Sequence, residues 1–128
     1  MANDSGRLVK FVAKLNRMTQ EGRMKWELYD PPAELISGTS DKFPFFWGAK
    51  VDDKNLGLYV RRYLAYDPEP GAPDWDEQTV LAFCANDWTP IWEFPRTAGI
   101  GELRDSIERR YVEADSFIDK ILAEEDDK

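Results

Sequence analysis

Five β-prone runs follow one another through the middle of the chain, and short turn-forming connectors separate most of them. The runs begin near Met24, Lys42, Leu56, Gln78 and Trp88. Parallel strands need a crossover of about a dozen residues or more, whereas antiparallel strands can be joined by tight turns. Connectors of hairpin length therefore predict an antiparallel meander rather than a crossover sheet.

Helical periodicity borders this β-prone region on both sides. Apolar residues at helical spacing predict a first helix over residues 5–20, with Gly22 closing its end. A longer pattern predicts one C-terminal helix over residues 101–123: Leu103, Ile107, Tyr111, Ala114, Ile118, Ile121 and Leu122. In a chain of 128 residues this order predicts a single α+β domain, residues 1–128, with both helices packed on one sheet face as two layers. The acidic residues 123–128 predict a flexible tail.

The fifth run, DWTPIWEFP, places aromatic residues at alternate positions. Strand parity puts Trp88, Trp92 and Phe94 on one face and Glu93 on the other. We expect Trp92 and Phe94 to lie in the core beneath the helices. Trp88 follows a turn at the end of the sheet, so it is expected to be partly exposed and to contribute to a contact.

The acidic segment of residues 67–77 lacks periodicity and predicts a loop. Its Asp74, Asp76 and Glu77 could converge on a hard cation, but the glycine and the distal glutamate of a calcium loop are missing. A solvated acidic loop is the better interpretation, so no metal and no cofactor are predicted. Arg62 falls on the apolar parity of the third run, which predicts a bulge or an ion-pair partner at the end of the sheet.

Several kinds of catalytic chemistry are excluded by composition. The chain contains no histidine, which removes histidine-based triads and imidazole metal sites. Its one cysteine, Cys84, lies in an apolar run and is interpreted as a buried structural thiol. No catalytic residue is assigned, although an enzyme using Asp, Glu, Lys, Tyr and Arg alone stays open.

The charge of the chain is divided between its halves. Residues 1–64 carry 11 Lys/Arg and 8 Asp/Glu, a net +3, whereas residues 65–128 carry 6 and 17, a net −11. Arg7, Lys10, Lys14 and Arg17 recur at helical spacing as a basic stripe on the first helix. This stripe is either a solvated helix face or a docking surface for an acidic partner: a protein, a nucleic-acid backbone or the chain's own acidic C-terminal region.

A second candidate surface lies on the predicted sheet face opposite the helices. Tyr59, Arg61 and Tyr63 share that face, and Trp88 at the end of the sheet is added to them. Aromatic side chains interleaved with arginine can form a protein interface or stack on bases. The alternative is an ordinary solvated face with arginine lying over tyrosine rings.

The run FVAKLNRMTQEGRMKWELY resembles the opening of small uncharacterised prokaryotic proteins. The residues that carry the resemblance are Leu15, Met18, Thr19, Gly22, Lys25 and Trp26, and it covers about the first thirty residues. It implies a helix leading into a sheet and no particular activity. Small size, acidity and the α–β–α order also resemble type III secretion chaperones, which are dimers, although the mid-chain helix expected of them is absent from the pattern.

These observations favour a non-enzymatic protein–protein interaction module that self-associates, with a homodimer as the candidate assembly. The alternatives are a secretion-chaperone-like dimer, and a small enzyme or nucleic-acid-binding protein that uses acidic or Arg/Tyr residues on the open sheet face. The net charge of −8 opposes bulk association with nucleic acid or anionic membranes. The absence of a long apolar run and of a signal-peptide core predicts a cytoplasmic protein.

Overall fold

The computed structural model describes residues 4–65 and 74–126. Its elements in chain order are α1 (Asp4–Gln20), β1 (Glu27–Tyr29), α2 (Ala33–Ile36), β2 (Lys42–Val51), β3 (Lys54–Ala65), β4 (Asp74–Cys84), β5 (Pro90–Glu93), α3 (Ile100–Tyr111) and α4 (Ala114–Asp126). Residues 67–73 of the predicted acidic loop and residues 127–128 of the predicted tail lie outside the described residues.

The five strands form one antiparallel sheet in the order β1-β2-β3-β4-β5. Each strand pairs with its sequence neighbour, so that Tyr59 in β3 lies opposite Phe46 in β2 and Val80 in β4. The β2–β3 connection is a tight turn in which Asp52 has a φ of 56°, a left-handed conformation that aspartate tolerates. The predicted α+β class and five-stranded meander are confirmed.

The end of α1 follows from Gly22, which has a φ of 76°. The backbone N–H of Arg23 donates to the Met18 carbonyl at 2.9 Å, and that of Gly22 donates to the Thr19 carbonyl at 3.1 Å. Glycine adopts this left-handed conformation at no steric cost, and the two bonds satisfy carbonyls that the helix leaves open. The predicted end of the first helix is therefore confirmed.

α1 and α3 cover one face of the sheet, and the main core lies between them and the strands. The two helices contribute Val12, Leu15, Leu103 and Ile107, all of which are buried. The strands contribute Trp47, Ala49, Leu56, Leu58 and Leu81. These residues alternate along their strands, as the pleat requires when one face is covered.

The opposite face of the sheet carries a second buried cluster. Its members are Phe43, Phe46, Tyr59, Val80, Ala82 and Cys84. The side chains of Tyr29, Leu35 and Trp88 pack over the cluster, Leu35 from α2. Tyr59 is 0% exposed, so its expected place on an accessible face is wrong. Parity assigned Tyr59 to the correct face, but parity carries no information about what covers that face.

The single long C-terminal helix expected from the sequence is instead two helices, α3 and α4. Glu113 between them has a φ of 54°, and its N–H donates to the Arg110 carbonyl at 3.1 Å. A left-handed residue interrupts an α-helix, while the apolar spacing of the sequence continues across it. The helix also continues to Asp126, so residues 123–126 do not form the flexible tail that was expected.

The DWTPIWEFP stretch is not one continuous strand. Trp88 lies in the turn before β5 with a φ of 70°, and the pairing of β4 with β5 shifts register between Phe83 and Cys84. Trp88 therefore packs on the second cluster, whereas Phe94 is buried in the main core. Trp92 is 47% exposed, so its predicted place in the core is wrong. β5 is short and forms the edge of the sheet, and among the described helices none makes substantial contact with it.

The start of β4 also differs from the sequence-based expectation. Residues 74–77, predicted as loop, extend β4 and pair with β3, Asp76 opposite Tyr63. Strand pairing overrides the low β-propensity of aspartate, because propensity is a weak local preference.

Candidate protein-interaction surface

α4 exposes an apolar face. Phe117, Ile118, Ile121 and Leu122 retain 63%, 48%, 44% and 53% of their accessible surface. Spacings of three and four residues place them side by side on one side of the helix. Single exposed apolar residues are common on protein surfaces, but contiguous apolar patches mark interaction sites.

α4 lies apart from the main core. Among the described elements, only α3 makes substantial contact with it. An ion pair of 2.5 Å between Arg109 and Asp115 bridges the break between the two helices, and both side chains are exposed. The hydrogen bond to the Asp115 carboxylate raises the pKa of Arg109. The structure thus holds the first turn of α4 against α3 and leaves the apolar face beyond it uncovered by described residues.

Acidic side chains border the apolar face of α4. Asp115 and Asp119, four residues apart, follow one side of it, and Glu124 lies on the other side. All three are exposed. Lys120 is the one basic residue in the sequence of residues 114–126. The surface is therefore an apolar strip with an acidic margin.

The basic stripe of α1 lies on the surface, as its spacing indicates. Arg7, Lys10, Lys14 and Arg17 are all exposed, while Val12 faces the core. Docking of an acidic partner on these four residues stays a prediction.

The polar residues of the second sheet face bind one another. The Tyr59 hydroxyl donates to Glu93 Oε2 at 2.5 Å, and Arg61 donates to the same oxygen at 3.0 Å. Burial raises the pKa of Tyr59, and the hydrogen bond to the Glu93 carboxylate raises it further. Tyr59 therefore keeps its proton at neutral pH, so it is a poor general base. Glu93 was assigned to this face by parity, but its pairing with Tyr59 across β4 depends on register.

The other members of the predicted sheet-face surface are also engaged within the chain. Arg61 lies over the Phe43 ring, 5.8 Å from its centroid, and the Tyr63 hydroxyl donates to Asp76 at 3.3 Å. Both side chains are half-buried. The predicted group of Tyr59, Arg61 and Tyr63 therefore shares a face, but it does not form an accessible aromatic platform.

Trp88 is half-buried, as expected, and stacks on Tyr29 with 5.0 Å between ring centroids. The two rings lie over Gly48, where a Cβ atom would come within 2.8 Å of each. Glycine at this position allows the close approach. Trp88 thus packs on this face of the sheet, and its role in binding a partner stays a prediction.

Arg62 has the ion-pair partner that its parity predicted. Glu77 accepts from Arg62 at 3.2 Å and from Arg104 of α3 at 2.8 Å, and these hydrogen bonds lower the pKa of Glu77. Asp76 and Glu77 are adjacent in β4 and point to opposite faces, so they do not converge on a cation. Within residues 4–65 and 74–126, no cluster of three His, Cys, Asp or Glu residues is arranged to hold a metal ion.

Cys84 lies beside a cavity of about 630 Å³, between the β2–β3 turn and the β4–β5 connection. Its apolar lining includes Phe83, Ile91 and Trp92. Burial raises the pKa of the Cys84 thiol to about 11, so the reactive thiolate is scarce at neutral pH. The cavity therefore offers a packing site but no activated nucleophile.

The comparisons with known proteins identify no relative. Searches against protein-family models, curated proteins and solved structures find no match to the chain. Among the described helices, none combines the length and the apolar character needed to cross a membrane.

Proposed function

We propose that the protein is a non-enzymatic, cytoplasmic protein–protein interaction module that self-associates through the apolar face of α4. The exposed side chains of Phe117, Ile118, Ile121 and Leu122 carry this proposal. An amphipathic helix gains its stability in water chiefly by packing its apolar face on something else. Helix-in-groove recognition uses anchors at this spacing.

The chemistry of the described residues supports binding more than catalysis. Tyr59 and Cys84 hold their protons, and Glu77 and Glu93 accept from arginine or tyrosine donors within the chain. A catalytic site needs titratable groups that converge on a cleft with an accessible reacting position. On the second sheet face, the titratable groups are instead hydrogen-bonded to one another.

Removing the apolar anchors from α4 tests the proposal. We expect the wild-type chain to show a concentration-dependent mass above that of the monomer in sedimentation equilibrium. The double variant Ile118→Ser, Ile121→Ser should sediment as a monomer. Serine and isoleucine have similar helix propensities, so circular dichroism should show an unchanged helix content.

A matched variant controls for the general loss of surface apolarity. Ile36 and Ile91 are also exposed, at 44% and 72%, but lie on α2 and β5. The variant Ile36→Ser, Ile91→Ser should associate like the wild type. A wild-type chain that stays monomeric at every soluble concentration would refute self-association, and equal weakening by both double variants would refute the assignment to α4.

A further inference from the structure

We propose that the surface covering α4 is the basic stripe of α1 in a second copy of the chain, with the contact made twice in a two-fold symmetric dimer. This inference rests on the proposed function and names the partner of the α4 face. Its basis is the placement of exposed acidic and basic side chains on two different helices.

The charges beside the contact distinguish the two simplest dimers, one that pairs α4 with α4 and one that pairs α4 with α1. A contact of α4 with a second α4 would bring the margins of Asp115, Asp119 and Glu124 together, and juxtaposed like charges disfavour association. A contact of α4 with α1 brings the same margins beside Arg7, Lys10, Lys14 and Arg17. Complementary potentials also speed the encounter and fix its register. The α4–α1 pairing is therefore favoured.

The exposed side of α1 also offers apolar surface. Val9 is 39% exposed and Ala13 is exposed on the same side of the helix, next to the stripe. The aliphatic stems of lysine and arginine add contact area while their charged ends reach water. α1 thus presents a small apolar area flanked on one side by the basic stripe, which complements the apolar strip and acidic margin of α4.

Size favours a reciprocal contact. At a rise of 1.5 Å per residue, the 17 residues of α1 and the 13 of α4 span about 26 Å and 20 Å, so the helices match along most of their length. Burying four side chains that are already about half covered gives only part of the free energy of a full burial. Association also costs translational and rotational freedom, which this burial has to offset. Two symmetric contacts meet this cost more readily than one.

Charge reversal on each helix provides the test. The first variant carries Lys10→Glu and Lys14→Glu, and the second carries Asp119→Lys and Glu124→Lys. The second variant leaves Asp115 in place, so the Arg109–Asp115 ion pair is kept. Each variant alone places like charges at both contacts, and its dissociation constant should rise about tenfold or more.

An equimolar mixture of the two variants restores opposite charges at both contacts. We expect the mixture to form a heterodimer with nearly wild-type affinity, measured by sedimentation equilibrium or by fluorescence transfer between labelled chains. The control variant Lys50→Glu, Lys54→Glu, at the β2–β3 hairpin, should associate like the wild type. Mixing it with the second variant should not restore wild-type affinity, because one of the two contacts would still join like charges. Circular dichroism confirms that each chain is folded, and the single changes Lys14→Glu and Asp119→Lys repeat the test if a double variant is not.

The outcomes separate this inference from the proposed function. If the Ile118→Ser, Ile121→Ser variant loses association but both charge variants keep it, α4 remains the contact and the assignment to α1 is overturned. If each charge variant dissociates but the mixture also stays monomeric, the reciprocal pairing is overturned. A monomeric wild type overturns both proposals.

Discussion

α3 and α4 derive from one continuous apolar pattern, yet the structure treats them differently. In α3, Leu103 and Ile107 are almost fully buried between α1 and the sheet. In α4, Ile118 and Ile121 occupy equivalent positions in the pattern but remain about half exposed. The difference arises at Glu113, whose left-handed backbone ends one helix before the next begins. Amphipathicity thus reports that a helix needs a partner surface, and only the fold shows whether the chain provides it.

Hydrogen exchange should give the largest difference between the two helices. In dilute, dissociated protein, the central amides of α3 open only with global unfolding, whereas those of α4 fray locally. We expect protection factors in α3 to exceed those in α4 by about a thousandfold or more, since global stabilities are at least about 5 kcal/mol. At concentrations where the protein associates, α4 should become protected. Equal protection of both helices in the monomer would refute the contrast.

Truncation of core and exposed side chains should separate the helices by unfolding free energy. Leu103→Ala opens a cavity beneath α3 and should cost about 2–5 kcal/mol. Ile121→Ala removes a side chain that already contacts water, and should change the stability of the monomer by about 0.5 kcal/mol or less. Urea unfolding monitored by tryptophan fluorescence measures both. A cost above about 2 kcal/mol for Ile121→Ala would show that α4 belongs to the folded core.

The contrast between buried and exposed apolar side chains also occurs within the single stretch around β5. Phe94 is buried and stacks on Phe83 at 5.5 Å, whereas Trp92 is about half exposed at the edge of the sheet. Phe94→Ala should cost about 3–5 kcal/mol and Trp92→Ala about 1–2 kcal/mol less. The comparison uses thermal or urea unfolding of the two variants. Equal losses would show that Trp92 is as well packed as Phe94.

The smallest expected difference between α3 and α4 is in the stability contributed by the ion pair that attaches each helix to its neighbour. Glu77 joins Arg104 of α3 to the sheet, and its pKa is lowered below the usual value of 4.5. Because the folded-state pKa is depressed, the stabilisation is present above about pH 4.5 and is lost as the pH falls through the folded value. Glu77→Gln should therefore cost about 0.5–1 kcal/mol at neutral pH, and the difference from wild type should disappear in acid.

Asp115→Asn provides the counterpart for α4. Its ion pair with Arg109 is exposed on both sides, so we expect no measurable change in the stability of the monomer at any pH. Denaturation midpoints between pH 3 and 7 compare the two variants. A loss of stability for Glu77→Gln that persists at the lowest pH would indicate a packing effect rather than a charge effect.

Much of the fold, and part of the candidate surface, could be predicted from local sequence. Periods of 3.6 and 2 located α1 and all five strands, and Gly22 marked the end of α1. The basic stripe was placed on the exposed side of α1 because helical geometry alone fixes which residues share a face. Arg62 was recognised as an exception in the apolar pattern, and its partner Glu77 lies opposite it in β4.

Tertiary structure alone decided which faces of the sheet and helices are covered by other parts of the chain. Parity placed Tyr59 on the second sheet face, but α2 and the side chains of Tyr29 and Trp88 determine that this face is closed at its centre. Periodicity identified Ile118, Ile121 and Leu122 of α4 but not Phe117. The fold, with a left-handed residue at Glu113, leaves all four exposed. Backbone geometry repeats every few residues and is visible in a short window of sequence. Burial depends on segments that are far apart in the chain. The apolar face of α4 is exposed because, among the described elements, only α3 packs substantially against that helix.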